Sequence, residues 1–170
     1  MPRLDGKNHV NLTVTDLDRS TEWYAKVLDM IVVNDVTPVG SGFRFRTLLH
    51  PASFASVVLG YPEQPGPGEA DRFSEFRVGL HHLAYHVPER ADLDEWATHL
   101  DRLRITHSGV SMSGHETGAQ IWLRDPDNIW LEFYWVNREF FADKLRLRWK
   151  AARKSGRSTW LSPSMDGNQA

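Results

Sequence analysis

Residues 9–14 alternate in character, with Val10, Leu12 and Val14 on one face of an extended segment and His9, Asn11 and Thr13 on the other. The alternation returns at 82–87, where Leu83, Tyr85 and Val87 oppose His82, Ala84 and His86. A helical pattern follows each segment. Leu93, Trp96, Ala97, Leu100 and Leu103 recur with a period near 3.6, and the earlier helix carries a shorter stripe of Trp23, Val27 and Leu28. Asp18 is placed to cap the first helix and Asp92 the second, with Glu95 three residues on in capping-box spacing. Strand-like runs then fall near 31–36, 43–49 and 54–61, and again near 105–111, 119–124 and 129–136. Pro38, Gly40, Gly42 and Pro51 separate the first set; Gly109, Gly114, Gly118 and the turn Asp125-Pro126-Asp127-Asn128 separate the second.

The order is βαβββ twice, and the two copies share more than their order. Setting His9 over His82 places Val14 over Val87, Trp23 over Trp96 and Val27 over Leu100 at a constant offset of 73. A histidine and a tryptophan recurring at one separation, with apolar positions matched around them, indicate an internal repeat. The chain divides into module one at 6–61, a Pro- and Gly-rich linker at 62–79, module two at 80–136, and a helix and tail at 137–170. In 137–154, Phe141, Leu145, Trp149 and Ala152 form a stripe with acids early and bases late, suited either to covering an end of the core or to a subunit contact. The last residues, 155–170, are polar.

Composition narrows the function classes. With 170 residues and 41% apolar content the chain can bury a core as one domain or two small modules. Its 20 basic and 22 acidic residues leave a net charge of -2, which gives no general footprint for nucleic acid. There is no cysteine, so disulfides, thiolate ligands and a cysteine nucleophile are excluded. No signal peptide and no run long enough to span a membrane is evident, and a soluble cytoplasmic protein is expected. Phosphate loops, nucleophile elbows and dinucleotide fingerprints are absent. Asp125 and Asp127 flank a proline turn and are expected to stabilise it through backbone contacts, with Arg124 beside them as a solvated turn charge or a site for a substrate anion.

One carboxylate stands out. Glu132 sits within Ile129-Trp130-Leu131-Glu132-Phe133-Tyr134, where alternation puts Leu131 and Phe133 on the opposite face. An acid in such a strand costs several kcal/mol if buried without a partner, a cost that a metal ion or a fixed donor removes. His9 and His82 from paired first strands, with Glu132 from a last strand, supply three ligands and leave positions open for substrate. The bland alternative is two ordinary strand histidines and a rim charge. Trp122, Trp130 and Tyr134 are either sheet core or the lining of an aromatic pocket, to which Asn11 also contributes.

The segments HVNLTVTDLDRSTEWYAKVLDM, LHHLAYHV and above all IWLRDPDNIWLEFY resemble the vicinal oxygen chelate superfamily, which contains glyoxalase I, bleomycin- and fosfomycin-resistance proteins and extradiol dioxygenases. The resemblance covers roughly residues 6–136 and implies an α+β fold in which paired βαβββ modules form a cupped mixed sheet around a metal cleft, here with a C-terminal helix added. Carried onto this chain, the family's ligands fall on His9, His82 and Glu132. The fourth ligand position of glyoxalase I falls, by the repeat offset, on Leu59, which cannot bind a metal. The remaining set resembles the two-histidine, one-carboxylate arrangement of iron dioxygenases.

That resemblance implies a metal-dependent enzyme, with Fe(II) preferred and Mn(II), Ni(II) or Zn(II) as alternatives, acting on a small aromatic or oxygen-chelating substrate such as a catechol. His86, on the face of His82, and His115, near the place of the substrate-facing histidine of extradiol enzymes, are the catalytic candidates; their catalytic tyrosine is replaced by Trp122. A glyoxalase-like lyase, isomerase or group-transfer enzyme and a non-catalytic ligand-sequestering protein are the competing classes. A homodimer is compatible with each, and neither nucleic acid nor a membrane is an expected partner.

Overall fold

The computed structural model describes residues 8–63, 72–113, 117–142, 146, 147 and 150. Module one contains β1 (Val10–Thr13), α1 (Leu17–Leu28), β2 (Ile31–Val36), β3 (Phe43–Leu49) and β4 (Ser56–Pro62). Module two contains β5 (Leu83–His86), α2 (Asp92–Leu103), β6 (Ser111–Met112), β7 (Gly118–Arg124) and β8 (Trp130–Val136). Each module makes its own four-stranded mixed sheet, ordered β1-β4-β3-β2 and β5-β8-β7-β6. In each, the first strand runs parallel to the last and the remaining pairs are antiparallel.

The expected α+β architecture of paired βαβββ units is what the chain adopts. Leu12 and Leu83 on the first strands, with Leu48, Val57, Leu59, Ile121, Leu131 and Phe133, turn towards the helices and join one buried cluster spanning both modules. The opposite face of each sheet carries the polar and aromatic side chains and has no covering layer among the described residues.

Several boundaries differ from the sequence expectation, each for a local reason. Asp16, with extended φ of -147°, caps α1 by accepting from Arg19 N at 3.0 Å; Asp18 lies inside the first turn and pairs with Arg46 at 2.8 Å. Ala91 precedes α2 in helical conformation without a side-chain cap, because Asp92 instead accepts from Glu89 N at 3.0 Å. The run near 105–111 shrinks to the two residues of β6 and an isolated bridge between His107 and Leu123. There, Ser108 Oγ accepts the Trp122 amide at 3.0 Å, taking a donor that a continuing strand would use, and Gly109 turns away with φ of 73°.

The linker reading needs amendment at both ends. Pro62 closes β4, and Phe73 is bound to the second module through its amide to Asp127 O at 3.0 Å and its carbonyl from Asn128 Nδ2 at 2.9 Å. Residues 64–71 lie outside the described residues, as do Leu145, Trp149 and Ala152 of the C-terminal stripe and the tail at 151–170; residues 138–142 are helical. No helix among the described residues is long and apolar enough to cross a membrane.

The modules are joined helix to turn. Tyr24, fully buried on α1, donates from its hydroxyl to Asp125 Oδ2 at 3.0 Å. Asp127 accepts from Arg19 Nη2 at 2.9 Å, Ser20 Oγ at 3.2 Å and Thr15 N at 3.3 Å, and also from the Thr15 hydroxyl. His99 on α2 contacts Val27 O at 3.1 Å. Asp125 Oδ1 meanwhile accepts from Asp127 N at 2.9 Å and Ile129 N at 2.7 Å, which is the expected turn-stabilising role. The aspartates thus build the turn and fasten one repeat to the other.

Candidate metal centre

The pairing of β5, β7 and β8 fixes which side chains share the uncovered face of the second sheet. Ala84 lies opposite Glu132 in the β5–β8 pair, and Trp122 lies opposite Glu132 in the β7–β8 pair. Leu131 and Phe133 point the other way, and the Phe133 ring stacks on Trp96 of α2 with centroids 4.1 Å apart. Burial on that side forces Glu132 outward, where 12% of its side chain remains exposed. Burial raises its pKa above the ordinary carboxylate value, and the neighbouring His82 pulls in the other direction.

His82 Nε2 stands 3.5 Å from Glu132 Oε2. That separation is too long for a good direct hydrogen bond. Two ligands each roughly 2.1 Å from one ion, at an angle of about 90–110°, lie roughly 3.0–3.4 Å apart, so the pair fits two donors flanking a shared cation. The other side of the imidazole is also occupied, because His82 Nδ1 is 2.8 Å from His81 Nδ1. Metal-bound histidines commonly hold their second nitrogen in such a contact.

The walls are aromatic. Trp122 and Trp130 lie with centroids 4.1 Å apart, and His81 and His82 approach Trp130 at 5.1 and 5.9 Å. The Arg124 guanidinium lies over Trp130 at 4.9 Å and is paired in bidentate fashion with Glu75 at 2.7 and 3.1 Å. Arg124 is therefore not a free anion site, although 39% of its side chain stays exposed to solvent as expected of a turn charge. Tyr134, a further predicted pocket residue, donates from its hydroxyl to Ser113 Oγ at 3.1 Å. A concavity of about 670 Å³ borders Trp122, Trp130 and Arg124 but runs on to Trp23, Ile105 and His107, and neither His82 nor Glu132 lines it.

Gln120, which the sequence pattern does not single out, completes this face. It lies between the Trp122 indole, which only donates, and the Glu132 carboxylate, which only accepts when ionised. Its amide satisfies both when its oxygen accepts from Trp122 Nε1 at 2.9 Å and its nitrogen donates to Glu132 Oε1 at 3.3 Å. A signal for it exists in the chain: running β7 back from the DPDN turn puts Trp122 beside Glu132 and Gln120 beside Tyr134.

The other predicted residues fall elsewhere. His9 and Asn11 occupy the uncovered face of the first sheet, with His9 Nδ1 2.8 Å from Asn8 Oδ1. Among the described residues, no three His, Cys, Asp or Glu groups of one chain converge to hold an ion. The three expected ligands are split because β1 and β5 are outer strands of separate sheets, and the modules meet through α1 and the DPDN turn. His86 lies opposite Tyr134, four residues or roughly 13 Å along the strand from His82, and its Nε2 accepts from Arg138 at 3.2 Å. It borders a different cavity, of about 530 Å³, between the modules on the helix side of the second sheet. His115 lies outside the described residues.

The register also moves one residue. Asn11 pairs with Val58 as Ala84 pairs with Glu132, so the first-module counterpart of Glu132 is Val58 and not Leu59. Leu59 is fully buried in the core, and Val58 is no more able to ligate an ion.

The Glyoxalase/Bleomycin resistance protein/Dioxygenase superfamily model matches residues 6–133. The chain belongs to this superfamily. Among solved structures, a glyoxylase/bleomycin resistance protein/dioxygenase domain from Frankia sp. EAN1pec is 32% identical, with 79% of this chain and 94% of that one covered and a TM-score of 0.68. A glyoxalase family protein from Enterococcus faecalis is 18% identical, covering 74% of this chain and 92% of its own, at a TM-score of 0.58. A mutant form of FosX, a fosfomycin resistance protein from Listeria monocytogenes, is complexed with Mn(II) and 1S,2S-dihydroxypropylphosphonic acid; it is 17% identical, with coverage of 78% and 90% and a TM-score of 0.56. No curated protein matches the chain. The superfamily includes metal-dependent enzymes, and the FosX complex holds the divalent cation Mn(II).

Proposed function

We propose that the chain is a metal-dependent enzyme acting on a small molecule with adjacent oxygens, most specifically an extradiol-type dioxygenase on a catechol-like compound. The observation that carries this reading is the His82–Glu132 pair at 3.5 Å beneath the Trp122–Trp130 surface. His82 and Glu132 hold the ion, and His9 from a second copy of the chain supplies the third ligand as β1 of one copy approaches β5 of the other. Both are outer strands of their sheets, and both carry their histidine on an uncovered face.

A bound divalent cation would supply Lewis acidity to two neighbouring substrate oxygens, and ferrous iron would add electron exchange with dioxygen. The tryptophan surface then receives the flat ring, while the pairing of Arg124 with Glu75 leaves that cation already neutralised on the substrate side. This favours an uncharged aromatic diol over a phosphonate. His115 is the proposed proton-moving residue. Its assignment rests on the resemblance to the substrate-facing histidine of extradiol enzymes. In ring cleavage the carbon–carbon bond beside the diol breaks and both atoms of dioxygen enter the product, so no external reductant is required.

The test is anaerobic loading with Fe(II), measurement of bound iron, and exposure to air with monocyclic and bicyclic catechols. A yellow ring-opened product is expected; iron bound without turnover of any catechol would reject the dioxygenase. Glu132→Ala should weaken Fe(II) and Mn(II) binding by about 100-fold or more with the fold retained. Unchanged affinity would reject Glu132 as a ligand. A second reading, group transfer or isomerisation on a non-redox ion, is favoured by the Mn(II) in the FosX complex. Turnover that proceeds with Mn(II) and without oxygen would select it.

A further inference from the structure

We propose that Gln120 is a positioning residue that selects which oxygen of Glu132 reaches the ion, a proposal that rests on the metal-centre reading above. A glutamate carboxylate turns readily about its last bond, since torsions between sp³ and sp² carbons have broad minima. Left free, Glu132 could offer either oxygen or both. Here the two oxygens are distinguished: with the Gln120 amide turned so that both its ends are satisfied, Oε1 accepts from its nitrogen at 3.3 Å, while Oε2 faces His82 Nε2 at 3.5 Å.

The amide is itself oriented. Trp122 Nε1 donates to its oxygen at 2.9 Å, which obliges its nitrogen to face Glu132. Trp122 and Gln120 lie two residues apart on one face of β7, directly opposite Glu132 and Tyr134 respectively. This places Gln120 diagonally from Glu132, within reach of a long side chain. The Trp122 indole, the Gln120 amide and the Glu132 carboxylate thus form a single relay from the aromatic wall to the ligand. Its effect is to hold Glu132 to one bound oxygen, so that the position a second oxygen would occupy stays available to substrate.

The experiment measures Mn(II) binding to the full chain, with free ion followed by electron paramagnetic resonance, in wild type, Gln120→Leu, Trp122→Phe and the double variant. Gln120→Leu should bind Mn(II) about 10–100-fold more weakly, in the range found when partners of metal ligands are removed. Its metal-free urea midpoint should match wild type. Trp122→Phe keeps a ring in the wall but removes the donor, and should weaken binding in the wild-type background but not in the Gln120→Leu background. Undiminished affinity in Gln120→Leu would overturn the proposal. So would a Trp122→Phe effect of equal size in both backgrounds, or a loss of affinity matched by a loss of metal-free stability. Wild type that binds no Mn(II) would remove the metal centre itself and this proposal with it, whereas normal wild-type binding with an unaffected Gln120→Leu removes the proposal alone.

Discussion

Asp125 sets the clearest expectation for a single side chain. It is 5% exposed, and burial foremost, with Asp127 adding to it, raises its pKa to about 6 despite the donors it receives from Ile129, Tyr24 and Asp127. Because the folded value lies above that of the unfolded chain, its contribution to stability is complete below about pH 4 and is lost as pH rises through about 6. A shift of roughly two units corresponds to about 3 kcal/mol. Asp125→Asn retains an oxygen for the two turn amides and cannot ionise. Urea unfolding of wild type and variant should therefore diverge with pH, the variant gaining about 2–3 kcal/mol relative to wild type between pH 4 and 7.5; parallel curves would show that Asp125 is not held protonated. Sequence reveals only half of this residue. Its contacts with Asp127 and Ile129 are local and readable from DPDN, but its partner Tyr24 is 101 residues away, and no spacing rule links them.

Among the elements, two glycines show how tightly the strands are built. A Cβ on Gly118 would lie 2.2 Å from the backbone oxygen of Trp135 and 2.8 Å from the Tyr134 ring, and the backbone cannot yield without opening the β7–β8 pair. On Gly60 it would meet the Phe45 ring at 3.0 Å and Asn11 Oδ1 at 3.1 Å, both parts of side chains that can turn aside. Gly118→Ala should cost about 2–3 kcal/mol or more and Gly60→Ala about 1 kcal/mol, read from thermal or urea unfolding. Equal costs would contradict the close backbone approach at β7. Helices and long strands are legible because their apolar residues recur at 3.6 or 2 and each has a core to face. Cap positions are not: Asp16 and Asp18 are chemically equivalent candidates, and Arg46, 28 residues from Asp18, draws the latter away. The expected strand before β6 fails because Ser108 competes for a ladder position, which polarity alone does not disclose.

For the molecule as a whole, the shared-site proposal predicts complementation. Neither His9→Ala nor Glu132→Ala alone should hold Mn(II) tightly, whereas an equal refolded mixture of the two should recover about a quarter of the wild-type sites, since about half of the dimers are mixed and each mixed pair rebuilds one of its two ligand sets. Equilibrium binding to the mixture checks this, and no recovery in a demonstrated mixed dimer would reject His9 as a ligand supplied by the second copy. Asp127→Ala, which strands Arg19, Ser20 and Thr15 at the junction of the modules, should destabilise the chain by about 3 kcal/mol. The repeat and the candidacy of His82 and Glu132, which the fold brings to 3.5 Å, can be read from the sequence, because equal offsets and an acid in an apolar strand are visible in one dimension. That His9 stands on a separate sheet away from them cannot, because the repeat does not say whether its copies meet through strands or through helices.

The junction has a direction. One half offers hydroxyls, an amide and a guanidinium from Thr15, Ser20, Tyr24 and Arg19, while the other offers the carboxylates of Asp125 and Asp127. The matching corner of the first half reads Pro51-Ala52-Ser53-Phe54, where Phe54 keeps the left-handed φ of Asn128, 56° against 67°, but no acid remains. Two first halves would meet with nothing to receive their protons, and two second halves would press acid against acid. The contact between the halves is therefore heterotypic, with donors on one side and carboxylates on the other.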